Sequence, residues 1–413
     1  MRKNFIVGLD VGTASIKVVV LENQNRRIIL RAVFKEPSLG MRRGAIEDLT
    51  EASQAVGRAL QEVKKISKSA LKNIYVSIGT PLVKAQNSRG IVAVSRADNE
   101  IYKDDIDRAI RASQAVNLGP NRMIIHTITR EFIIDGVGEI SEPLGLSGSR
   151  LEVSSLVIDA FAPHIKNLIK VIELIGGEIG ALVFSPLSAS RSSLTKAQKD
   201  LGVAVVDIGA STTGLAVYEE NRLVNIAKFP IGAANISNDI AVGLKIPVGA
   251  AENLKLNYGY AISRDVGAKE SIEIKKFVAE GKGVVSRRFV SDIVEARMAE
   301  ILDFVGDELK LLGKAGKLVG GLVFVGGGSK LPGLTELAKQ ELKLFSQIGF
   351  TADEERWFGQ SSAFTEHIED PEFATAFGLV QTGVEQEGWQ VGDSNGSLNI
   401  LAGFKKFIGY FKP

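Results

Sequence analysis

The chain has 413 residues, 45% apolar and 24% charged, with a formal net charge of +2, so it can form two or more hydrophobic cores and shows no electrostatic preference for nucleic acid. It contains no cysteine, which excludes disulfides, thiolate metal sites and cysteine nucleophiles. Its histidines, His126, His164 and His367, lack the spacing of a metal site or a catalytic triad, and no apolar run reaches the roughly 18 residues of a membrane-spanning helix.

Residues 5–20, FIVGLDVGTASIKVVV, contain two apolar runs separated by a tight polar turn. The runs at 6–9 and 16–20 are rich in β-branched residues and are predicted to be strands. The turn offers backbone N–H groups and hydroxyls, which bind phosphate oxygens, and one carboxylate, which holds Mg²⁺ through water. The pattern predicts a phosphate-binding hairpin with contacts from Asp10, Gly12, Thr13, Ser15 and Lys17.

The same pattern returns at residues 203–218, VAVVDIGASTTGLAVY. Here the corresponding residues are Asp207, Gly209, Ser211, Thr212 and Thr213. One such turn is typical of an ordinary β-hairpin. Because the pattern occurs twice, we expect two similar domains that close on one nucleotide from opposite sides.

Between the hairpins the spacing predicts a mixed α/β layer interrupted by an inserted block. Strands are predicted at 27–35, 74–78 and 178–184, and helices at 49–65, 162–175 and 187–199. The block at 81–162 carries a predicted helix at 104–116 and strands at 123–129, 131–135 and 151–159. It has no nucleophile beside a base, so we expect an α+β interaction module, the alternative being a purely structural insert.

The second half continues with predicted helices and a second glycine-rich segment. A strand is predicted at 222–230, helices at 234–244, 248–258 and 287–312, and a further strand at 322–325. That strand leads into GGGSKLPGL at 326–334, a segment that allows close approach to a flat or anionic ligand. A helix is predicted to start at 373, and the polar residues 385–397 are typical of a flexible linker.

The last residues, 398–412, are predicted to form an amphipathic helix that lies in the plane of a membrane surface. At ~100° per residue, its large apolar side chains fall within an arc of roughly 120° flanked by lysines. The segment is too short to span a bilayer. The predicted membrane contacts are Ile400, Leu401, Phe404, Lys405, Phe407, Ile408, Phe411 and Lys412.

Taken in order, GLDVGTASIKV, VVDIGASTTGLAVY, ISNDIAVGL, FVGGGSKLPGL and FATAFGLV resemble the actin, Hsp70 and sugar-kinase superfamily. The resemblance implies an α/β, two-lobed actin-like ATPase fold hinged around ATP and Mg²⁺, with Asp10 and Asp207 near the metal through water. It places Asp239 on a helix beside the cleft and implies that Glu252 and Lys255 contact ribose and base. It also implies that the adenosine side is lined by Gly326, Gly327, Gly328 and Ser329.

Within this superfamily the chain is similar to the bacterial cell-division family FtsA. The likeness is carried by residues 126–153, HTITREFIIDGVGEISEPLGLSGSRLEV, by SRRFVSDIVEARMAEIL at 286–302, and by the C-terminal amphipathic segment after a linker. It implies a first lobe at 1–80, 163–202 and about 365–385, an insert at 81–162, and a second lobe at 203–232 and about 287–364. It further implies a subdomain at 233–286, a linker at 386–397 and a membrane helix at 398–413.

The resemblance implies a scaffold at the cytoplasmic face of the membrane, at the division septum. Its expected partners are the FtsZ C-terminal peptide, bound through Arg288, Arg297 and Glu300, other divisome proteins, anionic lipids, and copies of itself joined through 81–162. ATP would be hydrolysed slowly or not at all, and no catalytic residue is nominated.

Two alternative functions remain open. A PilM-like scaffold of pilus assembly would share the hairpins without the amphipathic tail. A small-molecule kinase would require a catalytic base and a substrate pocket, for which the sequence nominates no residues. An Hsp70 chaperone is not expected, because no substrate-binding domain follows the ATPase region in this sequence.

Overall fold

The computed structural model describes residues 4–25, 27–278, 283–352 and 362–389. Two lobes share one strand topology, and a four-stranded sheet is inserted into the first. The membrane helix predicted at 398–413 lies outside the described residues. Among the described helices, none combines the length and the hydropathy needed to cross a membrane.

The first lobe begins with the predicted hairpin and its third strand. Its opening elements are β1 (Phe5–Val11), β2 (Ser15–Gln24), β3 (Arg27–Pro37), β4 (Met41–Arg42), β5 (Ala45–Ile46), α1 (Leu49–Ile66) and β6 (Ile74–Ile78). Side chains alternate between the two faces of β1, so Val7 and Leu9 pack in the core that contains α1 while Ile6 packs in the core on the opposite face. Burial on both faces explains why these strands are almost continuously apolar.

The inserted block is an antiparallel sheet with one helix across it. Its elements are β7 (Val83–Ala93), α2 (Lys103–Ser113), β8 (Arg122–Ile134), β9 (Val137–Ile140) and β10 (Arg150–Phe161), with strand order β7-β10-β8-β9. Two predictions are corrected here: β7 was missed, and the strands expected at 123–129 and 131–135 form the single strand β8. Gly90 lets α2 approach β7, since a Cβ there would lie 2.0 Å from the Ala109 carbonyl oxygen.

The insert shares a hydrophobic core with both lobes. One cluster combines residues from the insert, the first lobe and the second lobe: Ile125, Leu156, Ile158, Ile78, Phe184, Leu223 and Ile226. Arg130 of β8 adds a polar link, because its Nε donates to the Leu223 carbonyl at 3.0 Å and its Nη2 donates to the Val224 carbonyl. The insert is therefore packed as part of the body of the molecule.

The remaining elements complete the first lobe and build the second. In chain order they are α3 (Ala162–Leu174), β11 (Ile179–Phe184), α4 (Ser185–Ser193), α5 (Lys196–Leu201), β12 (Val203–Ile208), β13 (Thr213–Glu219), β14 (Arg222–Phe229), α6 (Ala233–Leu244), α7 (Val248–Tyr258), β15 (Ser271–Glu273), β16 (Val284–Ser286), α8 (Arg287–Leu311), β17 (Leu322–Val325), α9 (Leu334–Leu342), β18 (Ser346–Ile348), α10 (Thr365–Ile368) and α11 (Ala374–Glu387).

The two lobe sheets have the same topology. The first has the order β3-β2-β1-β6-β11 and the second β14-β13-β12-β17-β18. In each, the first three strands pair antiparallel and the last two are added in parallel. The repeat of the hairpin pattern thus extends to the whole sheet of each lobe.

Two helix predictions are corrected by local capping. The helix expected at 187–199 is divided into α4 and α5, because Thr195 and Gln198 form a capping box that starts a new helix. The final helix runs to Glu387 and ends at Gly388, whose φ is +65°. Residues 385–387, which were predicted to belong to the linker, are therefore helical, and the rest of the predicted linker from residue 390 onward lies outside the described residues.

Candidate functional site

The two predicted hairpins have the same turn geometry. The Gly12 N–H donates to the Ser15 carbonyl at 3.1 Å, and the Gly209 N–H donates to the Thr212 carbonyl at 2.9 Å. A Cβ on Gly12 would lie 2.7 Å from the Ser15 carbonyl oxygen, so this tight turn requires glycine. The conformation leaves a compact polar tip on each lobe.

The tips of the hairpins meet across one cleft. The hydroxyls of Thr13 and Ser211 are 2.7 Å apart, and the Thr13 hydroxyl also accepts from the Gly44 N–H at 3.1 Å. Thr213 is turned away, since its hydroxyl donates to the Ile231 carbonyl at 2.9 Å. The structure therefore brings the two predicted phosphate hairpins together at a common cleft.

The charged groups of the cleft come from both lobes. Asp10 Oδ1 accepts from the Ser77 hydroxyl at 2.6 Å, and its Oδ2 lies 3.5 Å from Lys17 Nζ. Burial raises the pKa of the Asp207 carboxyl, although Lys228 opposes this shift. Burial alone would lower the pKa of Lys17, but Asp10 and other carboxylates raise it above its ordinary value. The positive charge of Lys17 thus attracts the carboxylates of both hairpins, Asp10 and Asp207.

Five charged residues of this site were missed by sequence reasoning: Lys35, Lys228, Lys330, Asp370 and Glu372. The Lys228 ammonium donates to the Ser185 hydroxyl at 2.5 Å, and burial lowers its pKa despite the attraction of Asp207. Two of the lysines, Lys35 and Lys228, could have been identified from the pairing of the third strand of each lobe with its hairpin. Asp10 faces Lys17, which faces Lys35, while Asp207 faces Gly214, which faces Lys228. Lys35 and Lys228 therefore hold equivalent places in the two lobes.

The glycine-rich turn closes the cleft on the second lobe. Gly326 has φ +84°, and a Cβ there would lie 2.5 Å from Asp207 Oδ1. Its N–H donates to the Pro371 carbonyl at 2.8 Å, and the Ser329 hydroxyl donates back to the Gly326 carbonyl at 2.7 Å. Gly328 packs on Ile208, since a Cβ there would lie 2.4 Å from its side chain. The turn thus sits directly against the carboxylate of the second hairpin.

Glu252 and Lys255, the two residues predicted to contact ribose and base, lie next to the start of α6, which contacts the second hairpin. The N–H of Ala233, at the start of α6, donates to the Gly209 carbonyl at 2.9 Å. Lys255 Nζ donates to the Ala233 carbonyl at 3.2 Å and to Glu252 Oε2 at 2.8 Å. The start of α6 therefore connects Glu252 and Lys255 to the hairpin.

Asp239, which was predicted to lie on a helix beside the nucleotide cleft, lies on α6 and forms an ion pair with α8. Arg297 Nε and Nη2 donate to its carboxylate at 2.6 and 3.0 Å, and Arg297 also pairs with Glu300. Arg288 donates to the carbonyls of Ser263 and Arg264 at 3.2 and 3.0 Å. The structure thus joins Asp239 to the surface predicted for the FtsZ peptide.

The residues present fit a nucleotide held with Mg²⁺ through water. Within the described part of the chain, no group of three or more His, Asp or Glu residues is arranged to bind a metal directly. The Asp10 carboxylate contributes to the raised pKa of the Asp207 carboxyl, and both stand beside turns in which a Cβ on Gly12 or Gly326 would clash. Carboxylates that reach a metal through water suit magnesium, which keeps several of its waters.

Comparison with known protein families identifies matches over most of the chain. Residues 204–378 match the family described as Cell division protein FtsA, and residues 82–159 match the SHS2 domain inserted in FTSA. The Cell division protein FtsA of Bacillus subtilis (strain 168) is 31% identical over 375 residues, covering 91% of this chain and 82% of that protein.

Solved structures confirm the predicted actin-like fold. The chain is similar to a structure of the PilM-PilN type IV pilus biogenesis complex, with a TM-score of 0.64, 18% identity, and coverage of 93% of this chain and 99% of that chain. MreB5 of Spiroplasma citri bound to ADP gives a TM-score of 0.55 at 13% identity, with coverage of 94% and 98%. At these identities the likeness shows the fold alone.

Proposed function

Because the chain belongs to the FtsA family of cell division proteins, we propose that it is an ATP-binding scaffold that polymerises on the cytoplasmic face of the membrane and tethers FtsZ filaments there during septum formation. The observation that carries the nucleotide site is the contact between Thr13 and Ser211, which brings the two hairpins to one cleft. The family membership supports the role in division. Other divisome proteins would bind the same scaffold.

In the proposed site each lobe has a distinct task. The hairpin N–H groups and the hydroxyls of Thr13 and Ser211 bind phosphate oxygens, while Lys17 and Lys228 offset their negative charge. Asp10 and Asp207 would hold Mg²⁺ through water, and the bound ion would offset phosphate charge. Glu252 and Lys255 lie on the ribose and base side. We expect slow hydrolysis at most, with ATP acting to bias closure of the lobes.

Asp207→Asn is expected to weaken Mg²⁺-dependent ATP binding by about tenfold or more, because the neutral amide lacks the negative charge that attracts a hydrated cation. Isothermal titration of parent and variant with ATP, in magnesium and in EDTA, measures this effect. Adenosine serves as the control ligand, since it does not need the metal. If magnesium improved ATP binding equally in both proteins, the metal site would lie elsewhere.

Glu300→Lys is expected to weaken binding of the FtsZ C-terminal peptide by about tenfold, because it reverses a charge at the proposed surface while sparing the ion pair between Arg297 and Asp239. Fluorescence anisotropy with a labelled peptide measures the affinity. Asp307→Lys is the matched control, an exposed carboxylate on the same helix that pairs with Lys310. Equal losses in both variants would indicate a general charge effect and no specific surface at Arg297 and Glu300.

Phe404→Asp is expected to release the protein from anionic liposomes, because it places a charge in the centre of the apolar stripe predicted for the tail. One large side chain contributes about 1.5–3 kcal/mol on full burial, and each lysine about 1 kcal/mol near an anionic surface. A single tail would therefore bind reversibly, and a polymer would bind firmly by avidity. Liposome sedimentation measures binding, with Lys406→Gln, on the opposite side of the predicted helix, as control. Retained binding of Phe404→Asp would place the anchor outside this stripe.

A further inference from the structure

The Glu372 carboxylate joins both lobes at the cleft. Its Oε1 accepts from the Ser15 hydroxyl at 3.1 Å and lies 3.8 Å from Lys17 Nζ, both in the first hairpin. Its Oε2 lies 3.1 Å from Lys35 Nζ and 3.4 Å from Lys330 Nζ, which belongs to the glycine-rich turn. One oxygen therefore faces the phosphate hairpin, and the other faces two outer lysines.

This carboxylate is a fixed negative charge at neutral pH. Its side chain is only 13% exposed. Burial alone would raise the pKa of Glu372, but Lys17, Lys35 and Lys330 together lower it to about 2. The groups of the first hairpin that suit a phosphate oxygen are thus already in contact with an anion.

Among the described residues at the cleft, eight charged side chains form a group whose formal charges balance without a nucleotide. The acidic and basic members of this group are equal in number: Asp10, Asp207, Asp370 and Glu372 against Lys17, Lys35, Lys228 and Lys330. The polyphosphate of ATP therefore meets no surplus of positive charge from these residues. Loss of one carboxylate contact at Lys17 would free a cation for a phosphate oxygen.

We propose that Glu372 is an internal competitor of the nucleotide phosphates for Ser15 and Lys17, an inference that rests on the proposed nucleotide site. A phosphate oxygen replaces Oε1 at these two groups, while Oε2 keeps its contacts with Lys35 and Lys330. Glu372 in this way lowers the affinity for phosphorylated nucleotides without touching the base. It sets how strongly the cleft prefers ATP over adenosine.

Titration of parent and Glu372→Gln with ATP, ADP and adenosine tests this proposal. The amide has nearly the shape of the carboxylate and lacks its charge, so ATP is expected to bind roughly tenfold tighter while adenosine changes less than twofold. A merely structural role would move both affinities together. Asp370→Asn is the matched control for net charge: it removes one negative charge that pairs with Lys330, and it keeps the acceptor for the Glu372 N–H. A general charge effect would raise the ratio equally in both variants, whereas competition at Ser15 and Lys17 raises it more in Glu372→Gln.

The titrations distinguish failure of the proposed nucleotide site from failure of the competitor role of Glu372. A parent protein that binds no ATP would overturn the nucleotide site and this proposal with it. A parent that binds ATP, with a ratio of ATP to adenosine affinity that is unchanged or lower in Glu372→Gln, would overturn the competitor role alone. Glu372→Asp gives a second measurement, because it retains the charge on a shorter side chain. Its ratio of ATP to adenosine affinity is expected to fall between those of the parent and Glu372→Gln.

Discussion

Gly326→Ala is expected to abolish nucleotide binding and to lower the free energy of unfolding by about 2–4 kcal/mol. The position combines φ +84° with two close neighbours, because a Cβ would lie 2.5 Å from Asp207 Oδ1 and 2.6 Å from the Ile208 carbonyl oxygen. Relief of this clash requires movement of the end of β12, which contains Asp207 and Ile208. The carboxylate proposed to face the metal would move with it. Urea unfolding and ATP titration measure the two effects.

Gly327→Ala is the matched control for the effect on stability. The nearest atom to a Cβ at this position is Glu372 Cδ, at 3.8 Å, so the methyl group has space. We expect its free energy of unfolding to stay within about 0.5 kcal/mol of the parent. If Gly326→Ala were equally stable, the turn would be able to move away from Asp207 at little cost.

Deletion of residues 81–162 is expected to prevent folding. The deletion would uncover Ile78 and Phe184 in the first lobe and Leu223 and Ile226 in the second, which share one core with the insert. At about 1.5–3 kcal/mol for each buried side chain, the upper estimate of the loss is roughly 6–12 kcal/mol. That loss is comparable with the whole stability of a typical domain, about 5–15 kcal/mol. Circular dichroism and thermal unfolding of the purified deletion variant measure the outcome.

The proposed self-association through the insert therefore needs substitutions rather than a deletion. Leu144 and Leu146 lie in the loop before β10 and are 54% and 44% exposed. Changing both to glutamate is expected to leave thermal unfolding unchanged and to abolish filaments on lipid, because charges would oppose an apolar contact with the next copy. Electron microscopy on lipid monolayers detects the filaments. Unchanged filaments in this double variant would exclude the loop, and a folded, filament-forming deletion variant would exclude the insert.

Local patterns in the sequence determined the main strands, the repeat and most of the helices. The β-branched runs around Asp10 and Asp207 predicted both hairpins correctly, because strands buried on both faces require nearly continuous apolar residues. Gly12 and Gly209 were predicted within these turns, and at Gly12 the tight turn leaves no space for a Cβ, which would lie 2.7 Å from the Ser15 carbonyl oxygen. These features depend on near neighbours in the chain.

Tertiary structure alone decided the features that join distant segments. The missed strand β7 is polar and partly exposed, and it is held by β10, whose residue Ala160 pairs with Val83. Glu372 is brought to Ser15 across 357 positions, and Asp239 is brought to Arg297 across 58. An ion pair or a strand pairing of this kind produces no periodic pattern in the sequence. Its two partners meet because the chain packs them together, and their separation in the sequence does not determine the contact.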